Sequence, residues 1–232
     1  MRPLAFKLLE GGGEVRCYLE EDDHELRQEG CKIAVGNLRD EVTLEGALTN
    51  VHTAIPIFPD PAAISATDDL RLIGELASAL VTALSAARVE QTILPLTGLY
   101  RTPTELGRAF DEIRRLFEER IHPLCIIVTG LLWGEERPFP VDTGLLRDGS
   151  HSPPVLAIGD LVAALTAADD REDLTGMWEL GGTPLGAEKL QSIPGERNSA
   201  APNALFLEAT AAVTQSLSNS AAEKFGVDLR LP

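Results

Sequence analysis

Residues Lys32–Phe58, KIAVGNLRDEVTLEGALTNVHTAIPIF, decide the fold of this chain. The stretch opens on one short apolar run, Ile33–Val35, and closes on another, Val51–Phe58. Short runs of this kind are typical of strands that are buried on both faces. Between them, apolar residues recur at the spacing of one helix face, with Thr43 as the expected N-cap; they are Leu44, Ala47 and Leu48. Strand, helix and strand in this order predict a βαβ unit with two parallel strands.

The rest of the chain repeats this alternation. Apolar spacing and cap residues predict further helices at residues 4–9, 23–29, 68–88, 105–120 and 203–219, and apolar runs predict further strands at 14–19, 92–96 and 125–128. A Pro- and Gly-rich stretch at 135–154 is expected to be a mobile loop. We therefore expect an α/β domain over residues 1–134 and a C-terminal part, residues 135–232, that ends in a small lobe.

Length and composition are those of a soluble α/β protein. The 232 residues are 44% apolar and 24% charged, enough for one domain with a full core. The net charge of −16 argues against a nucleic-acid or anionic-membrane partner, because such partners are bound through Lys and Arg. No run of consecutive apolar residues reaches ~18, so we expect no membrane span. The N-terminus lacks the long apolar centre of a signal peptide, which favours a cytoplasmic location.

Cysteine and histidine give no sign of a metal site or a disulfide. Cys17, Cys31 and Cys125 are odd in number, far apart along the chain and set in largely apolar surroundings. Buried free thiols are therefore expected. The four histidines fall in separate segments, without the close pairing that metal ligands usually show, at positions 24, 52, 122 and 151.

One turn in the opening stretch carries a family resemblance. Gly36–Asp40, GNLRD, resembles the G-D-L-x-D turn after the third strand of extended and atypical short-chain dehydrogenase/reductases. That family includes NAD-dependent epimerase/dehydratase-like and NmrA-like proteins. Later segments resemble the family in the same order: Thr97–Tyr100, Thr129–Gly134 and Met177–Gly182. The resemblance implies a Rossmann-like, doubly wound parallel sheet with a small C-terminal α/β lobe, the first domain being residues 1–134.

The same resemblance implies where a cofactor, NAD if any, would lie. Glu20 follows the second strand of the family fold, where an acid binds the adenosine ribose hydroxyls. The alternative for Glu20 is a solvated acidic loop that caps the helix beginning at Asp23. Asn37 replaces the Asp beside the adenine, with Leu38 next to it, and Gly130 belongs to a later cofactor-contacting turn. Thr97 falls near the position of the family's catalytic hydroxyl.

Several departures from the family put activity in doubt. In the family a first strand and a G-x-x-G-x-x-G turn precede the first helix, but Met1–Leu4 align with the end of that turn. Gly11–Gly13 cannot replace it, because they follow the helix. The catalytic Tyr-x-x-x-Lys pair is not found: Leu106 and Phe110 fall at its two positions. Pro56–Pro59 also fails to reproduce the family's His-x-Ala-Ala segment.

Two functional hypotheses follow. Under the first, the chain is a catalytically degenerate member that acts as a binding, regulatory or subunit-forming protein, with no cofactor. Under the second, it is an NAD-dependent epimerase, dehydratase or reductase acting on a small molecule, and its start has been misassigned. The resemblance also suggests a homo-oligomer through helices 68–88 and 105–120. Without a central first strand, we expect a gap or new edge in the sheet. Three alternatives would resolve it: strands 14–19 and 51–58 close up on each other, a partner chain fills the gap, or the native protein begins further upstream.

Overall fold

The computed structural model describes residues 2–133, 154–171, 174–184, 204–213 and 217–229. The loop predicted at 135–154 therefore lies outside the described residues, apart from its last residue. The helices are α1 (Arg2–Glu10), α2 (His24–Gln28), α3 (Glu41–Leu48), α4 (Thr67–Ala87), α5 (Glu105–Arg120), α6 (Ile158–Asp169), α7 (Ala204–Ala211) and α8 (Ser220–Phe225). The strands are β1 (Arg16–Leu19), β2 (Lys32–Val35), β3 (Thr53–Ala54), β4 (Gln91–Thr97), β5 (Leu124–Thr129), β6 (Leu131–Trp133), β7 (Pro154–Ala157), β8 (Gly176–Leu180) and β9 (Thr183–Pro184).

The described strands form three sheets. The largest is parallel, in the order β3–β4–β5–β8, and β4 pairs with β5 along its whole length, from Thr92 opposite Leu124 to Thr97 opposite Thr129. β1 and β2 form a separate parallel pair. The third sheet, β6–β7–β9, is mixed. It joins β6, from the predicted first domain, to β7 and β9 of the C-terminal part, and the boundary at residues 134 and 135 remains a prediction.

Helices cover both faces of the large sheet. Alternate residues of β4 and β5 point to opposite sides, as the period of two in a strand requires. On one side Leu94, Leu96 and Ile126 pack with residues of α4, α5 and α7. On the other side Ile93 and Ile127 pack with residues of α1, α6 and α8. This arrangement confirms the predicted doubly wound α/β fold.

The sheet is divided where a central strand was expected to be missing. β1 and β3 belong to different sheets, so the expected gap is confirmed, whereas the expectation that the two strands close up on each other is wrong. β2 pairs with β1 and β3 pairs with β4, so the two strands of the predicted βαβ unit lie in different sheets. The predicted strand 51–58 shrinks to Thr53–Ala54. It pairs on one edge only, and Pro56 has no N–H to extend the ladder.

Two helix starts differ from the sequence prediction. The N-cap of α3 is Asp40, not Thr43: its carboxylate accepts from the N–H groups of Val42 at 3.1 Å and Thr43 at 3.5 Å. A carboxylate at this position also benefits from the helix dipole. The helix predicted at 203–219 ends at Ala211, and a separate helix begins at Ser220.

α4 is the one described helix long and apolar enough to cross a membrane, judged by length and composition. Its most apolar 18-residue window has a mean hydropathy of 1.4 and is 39% buried. The inward face of α4, with Leu70, Ile73 and Val81, packs in the same core as β4 and α5. Core helices of globular proteins meet the same criteria.

Candidate functional site

The candidate site is the edge of the parallel strands where their carboxyl ends meet, the edge at which open α/β sheets bind ligands. Thr97 and Gly130 lie there together, because Thr97 is opposite Thr129 in the β4–β5 ladder and Gly130 follows directly. The N–H of Gly130 donates to the carbonyl of Leu180, 3.1 Å away at the end of β8. Three neighbouring strand ends thus form one continuous rim.

The hydroxyls on this rim bind the backbone. The Oγ1 of Thr97 accepts from the N–H of Leu99 at 3.4 Å and begins the short 3-10 turn that follows β4. The Oγ1 of buried Thr129 donates to the carbonyl of Leu96 at 3.4 Å. No base is bonded to the Thr97 hydroxyl in the described part of the chain. Sequence reasoning did not single out Thr129, although it ends a strand in register with Thr97.

The other three predicted residues lie at the end of the β1–β2 pair, where Leu19 is opposite Val35. The Oδ1 of Asn37 accepts from the N–H of Arg39 at 2.9 Å, while its carbonyl accepts from the hydroxyl of Tyr18 at 3.1 Å. Leu38 beside it is half-buried, and Glu20 is exposed. The structure therefore brings Glu20 near Asn37 and Leu38, in a different sheet from Thr97 and Gly130.

The acidic loop after β1 does cap a helix. Asp23 is the N-cap of α2: its Oδ1 accepts from the N–H groups of Glu25 at 3.1 Å and Leu26 at 3.2 Å. The hydrogen bond from Leu26, aided by the guanidinium of Arg2, holds the pKa of Asp23 below its ordinary value. Glu20 takes no part in this cap.

Leu106 and Phe110 are core residues. Leu106 is 0% exposed and Phe110 is 2% exposed, and both belong to the apolar cluster under the large sheet. Thr104 positions them, because its Oγ1 caps α5 by accepting from the N–H of Gly107 at 3.1 Å. Neither side chain can transfer a proton, and their surroundings would disfavour an ionised lysine.

A polar cluster at the same end of the sheet was missed by the sequence analysis. Tyr100, Arg101 and Glu179 are half-buried, and the guanidinium of Arg101 pairs with the Glu179 carboxylate. Arg101 Nε donates to the hydroxyl of Tyr100 at 3.0 Å, and Glu179 Oε2 accepts from the N–H of Ser218 at 2.7 Å. The guanidinium groups of Arg101 and Arg114 lie over the Tyr100 ring, 5.4 and 5.5 Å from its centroid, within the range of a cation–π contact. The cluster ties β8 to the turn after β4 and to the chain before α8.

The thiols of Cys17 and Cys125 are poor nucleophiles. Cys17 and Cys31 belong to one small apolar cluster, so the fold brings together two of the thiols that are far apart along the chain. Burial and then the neighbouring Cys31 thiol raise the pKa of Cys17 to about 11. Burial raises the pKa of Cys125 to about 12. All three are free, as predicted. The described residues contain no group of three or more His, Cys, Asp or Glu able to hold a metal ion.

Known proteins match this chain in structure only. No family model matches the sequence, and no curated protein matches it. MoeE5, solved in complex with UDP-glucose and NAD, superposes with a TM-score of 0.73 at 15% identity, over 100% of this chain and 90% of that one. The UDP-glucose 4-epimerase of Thermotoga maritima, solved with UDP-glucose, gives 0.69 at 14% identity, over 99% and 90%. A nucleoside-diphosphate-sugar epimerase of Staphylococcus aureus gives 0.69 at 11% identity, over 98% and 92%. At these identities the likeness shows the fold alone, a Rossmann-type doubly wound α/β fold.

The described residues supply few groups for a dinucleotide used in hydride transfer. Gly11–Gly13 follow the last turn of α1, whereas a pyrophosphate is bound at a helix N-terminus. The inward face of α5, which carries Leu106 and Phe110, is apolar and offers neither a proton donor nor a cation. Glu20 and Asn37 are polar residues at the end of the β1–β2 pair.

Proposed function

We propose that this protein is a catalytically inactive relative of the epimerase-type short-chain dehydrogenase/reductases, which acts as a binding, regulatory or subunit-forming protein. One observation carries the proposal: Leu106 and Phe110 are 0% and 2% exposed in the apolar core, where the resemblance places Tyr and Lys. Thr97 alone cannot replace them, because its hydroxyl caps the following turn. We place the protein in the cytoplasm, where its three free thiols would stay reduced.

The proposal is tested by titrating the protein with NADH and NADPH and following nucleotide fluorescence, together with turnover assays on UDP-glucose. We expect neither micromolar affinity nor turnover, because the backbone donors for the pyrophosphate and the proton-transfer pair are both missing from the described fold. A matched sample of a catalytically active UDP-glucose 4-epimerase validates the assay. NAD-dependent turnover by the unaltered protein would refute the proposal.

The second candidate is an NAD-linked epimerase, dehydratase or reductase that acts on a small molecule. The fold it shares with MoeE5, which was solved with NAD, supports this alternative. Under it, Glu20 would favour NAD over NADP, because an acid there binds the ribose hydroxyls and repels a 2′-phosphate. Micromolar binding of NADH with weaker binding of NADPH would support this candidate, and the reverse preference would show that Glu20 is misplaced.

We extend the proposal to homo-oligomer formation through the outer faces of α4 and α5. The two helices pack side by side over the same core, and Leu72 of α4 is 36% exposed on the outer side. Apolar side chains on neighbouring helices are what a helical dimer interface buries. Sedimentation velocity at rising protein concentration tests this, and a monomer throughout the micromolar range would contradict it.

A further inference from the structure

Two of the three thiols lie on one face of the small β1–β2 sheet. Cys17 of β1 is opposite Ile33 of β2, and Cys31 precedes Ile33 by two residues. Because side chains alternate along a strand, Cys31 and Ile33 point to the same side of the sheet as Cys17. Cys31 is 4% exposed and belongs with Cys17 to one apolar cluster. After burial, the Cys31 thiol is the next cause of the raised pKa of Cys17, so the two groups interact directly.

The backbone around Cys31 can bring the two sulfurs to bonding distance. Cys31 stands just before β2, which begins at Lys32, and directly after Gly30, whose φ of 105° lies in the left-handed region. Bridged cysteines usually have Cα atoms about 4.4–6.8 Å apart, closer than diagonal neighbours in a regular sheet. A small backbone shift at Gly30 and Cys31, outside the ladder of β2, closes that difference.

The apolar cluster that surrounds the two thiols is small. Its buried members among the described residues are Ala5, Leu26 and Cys31, and Leu26 belongs to α2, a helix of five residues. No residue of β1 or β2 is fully buried. Segments with few buried apolar contacts open locally, without unfolding of the whole molecule. Such an opening exposes both thiols to solvent.

Opening also changes the reactivity of Cys17. In the closed form, burial and then the Cys31 thiol raise the pKa of Cys17 to about 11, so the unreactive thiol prevails at neutral pH. Opening removes the burial, and the pKa of Cys17 then falls toward its ordinary value, which leaves more of the reactive thiolate. Cys125 is 0% exposed in β5 and lies in a different cluster from the pair, so it serves as the internal reference.

We propose that Cys17 and Cys31 form a reversible intramolecular disulfide when hydrogen peroxide meets the open form of the β1–β2 pair. One thiolate attacks an oxygen of the peroxide, which gives a sulfenic acid and releases hydroxide. The second thiolate attacks the sulfenic sulfur, forms the S–S bond and displaces a second hydroxide. The two hydroxides take up the two thiol protons. Two thiols and one peroxide thus give one disulfide and two waters.

The disulfide locks the loop between the two strands. That loop contains Glu20, the N-cap Asp23 and α2. A cross-link removes conformational freedom from the open form, so further opening becomes rarer. Exchange with a cytoplasmic thiol such as glutathione reverses the lock, as is usual for disulfides that form transiently in the cytosol. The lock acts equally on an inactive binding protein and on an enzyme.

Peptide mapping of the protein treated with hydrogen peroxide tests the disulfide. Trypsin cleaves after Arg16, Arg27 and Lys32, so the two thiols fall on separate peptides. We expect these two peptides to be joined, at the sum of their masses less two hydrogen atoms, while Cys125 keeps its free thiol. Dithiothreitol should restore all three thiols. Amide hydrogen exchange in the bridged loop should slow about 100-fold on oxidation, the effect of a cross-link that closes a loop of this length.

Variants test whether opening limits the reaction. Leu26→Ala removes a buried side chain of the thiol cluster and should accelerate disulfide formation at least about tenfold, because the pair then opens more easily. Leu72→Ala, at an exposed position of α4, is the matched control and should leave the rate unchanged. Cys17→Ser and Cys31→Ser should each abolish the joined peptides, whereas Cys125→Ala should not. The wild-type mapping keeps the test decisive if Leu26→Ala fails to fold.

Three outcomes of the mapping would overturn the inference. They are oxidation that leaves the two peptides unjoined, disulfides that form only between two chains, and oxidation of Cys125 as fast as that of the pair. A rate that Leu26→Ala leaves unchanged would show that the thiols react without opening, and it would overturn the dependence on the open form.

Discussion

At the scale of single residues, Glu179 shows how this fold uses charge. It lies half-buried in β8, where Arg101 pairs with one carboxylate oxygen and the N–H of Ser218 donates to the other. Burial acts to raise the pKa of Glu179, but the Ser218 N–H and the Arg101 guanidinium outweigh it and hold this pKa below its ordinary value of 4.5. The ionised carboxylate therefore stabilises the folded state.

Glu179→Gln should lower the free energy of unfolding by about 1–2 kcal/mol at pH 7, because it removes a charged acceptor shared by two donors. A carboxyl whose pKa is lower in the folded state stabilises above its unfolded pKa and loses that contribution as the pH falls through the folded pKa. The difference in melting temperature between the wild type and the variant should therefore be largest at pH 7 and become smaller below about pH 4.5. Thermal melts from pH 3 to 7 measure it.

Glu75→Gln is the control for this experiment. Glu75 pairs with Arg71 one helical turn away, and its side chain is 43% exposed. Exposed pairs of this kind contribute about 0–1 kcal/mol. A pH-independent gap for Glu179→Gln, or an equal loss for Glu75→Gln, would show that the ion pair is not what stabilises β8.

At the scale of elements, α5 is built for packing. Its apolar side recurs at helical spacing, and Leu106, Phe110, Ile113 and Phe117 are all buried against the sheet and α4. The adjacent side carries ion pairs between Arg114 and both Asp111 and Glu118. A helix that presents a reactive Tyr and Lys to a ligand would need polar groups on the side that α5 buries.

Phe110→Lys should therefore not create activity and should destabilise the fold by at least about 3 kcal/mol, because it replaces a core ring with a buried ammonium. Glu112→Lys, on the exposed side of the same helix, is the matched control and should cost less than about 0.5 kcal/mol. Urea unfolding followed by circular dichroism measures both. Equal stability of the two variants would mean that α5 does not bury Phe110 in solution.

The sequence predicted the helices whose apolar residues recur at a regular helical spacing. It did not predict the features that depend on which strands pair. α1, α4 and α5 appear within a few residues of their predicted bounds, because one apolar face specifies a helix. Among the described strands, β3 pairs with β4 alone, and no local sequence pattern predicts which strands pair. The residue types of the candidate site were predictable, but not that the sheet would be divided between them. Glu20 and Asn37 follow the strands of the β1–β2 pair, whereas Thr97 ends β4 of the large sheet. The Arg101–Glu179 pair joins positions 78 residues apart, beyond any spacing rule.

At the scale of the whole molecule, the divided sheet predicts uneven stability. β4 pairs with β5 on one edge and with the two residues of β3 on the other, β5 pairs with β4 and β8, and both strands are almost wholly buried. Among the described strands, β1 and β2 pair only with each other, and no residue of either is fully buried. A two-stranded sheet is marginal by itself. Its attachment depends on α1 and α3, which pack against both sheets.

Native-state hydrogen exchange should thus show two opening units. Amides of β1 and β2 should exchange through a partial opening of lower free energy, while those of β5 exchange only on global unfolding. Val128→Ala separates the two, because Val128 is 0% exposed in β5 and remains packed when β1 and β2 open. It should lower the free energy for exchange of β5 by about 2 kcal/mol and leave β1 and β2 unchanged.

Leu4→Ala is the counterpart: Leu4 of α1 packs against the large sheet, and this contact is lost in both openings. It should accelerate exchange in β1, β2 and β5. If Val128→Ala accelerated hydrogen exchange in β1 and β2 as much as in β5, the molecule would unfold as one unit. The division between the β1–β2 pair and the large sheet would then not separate two opening units.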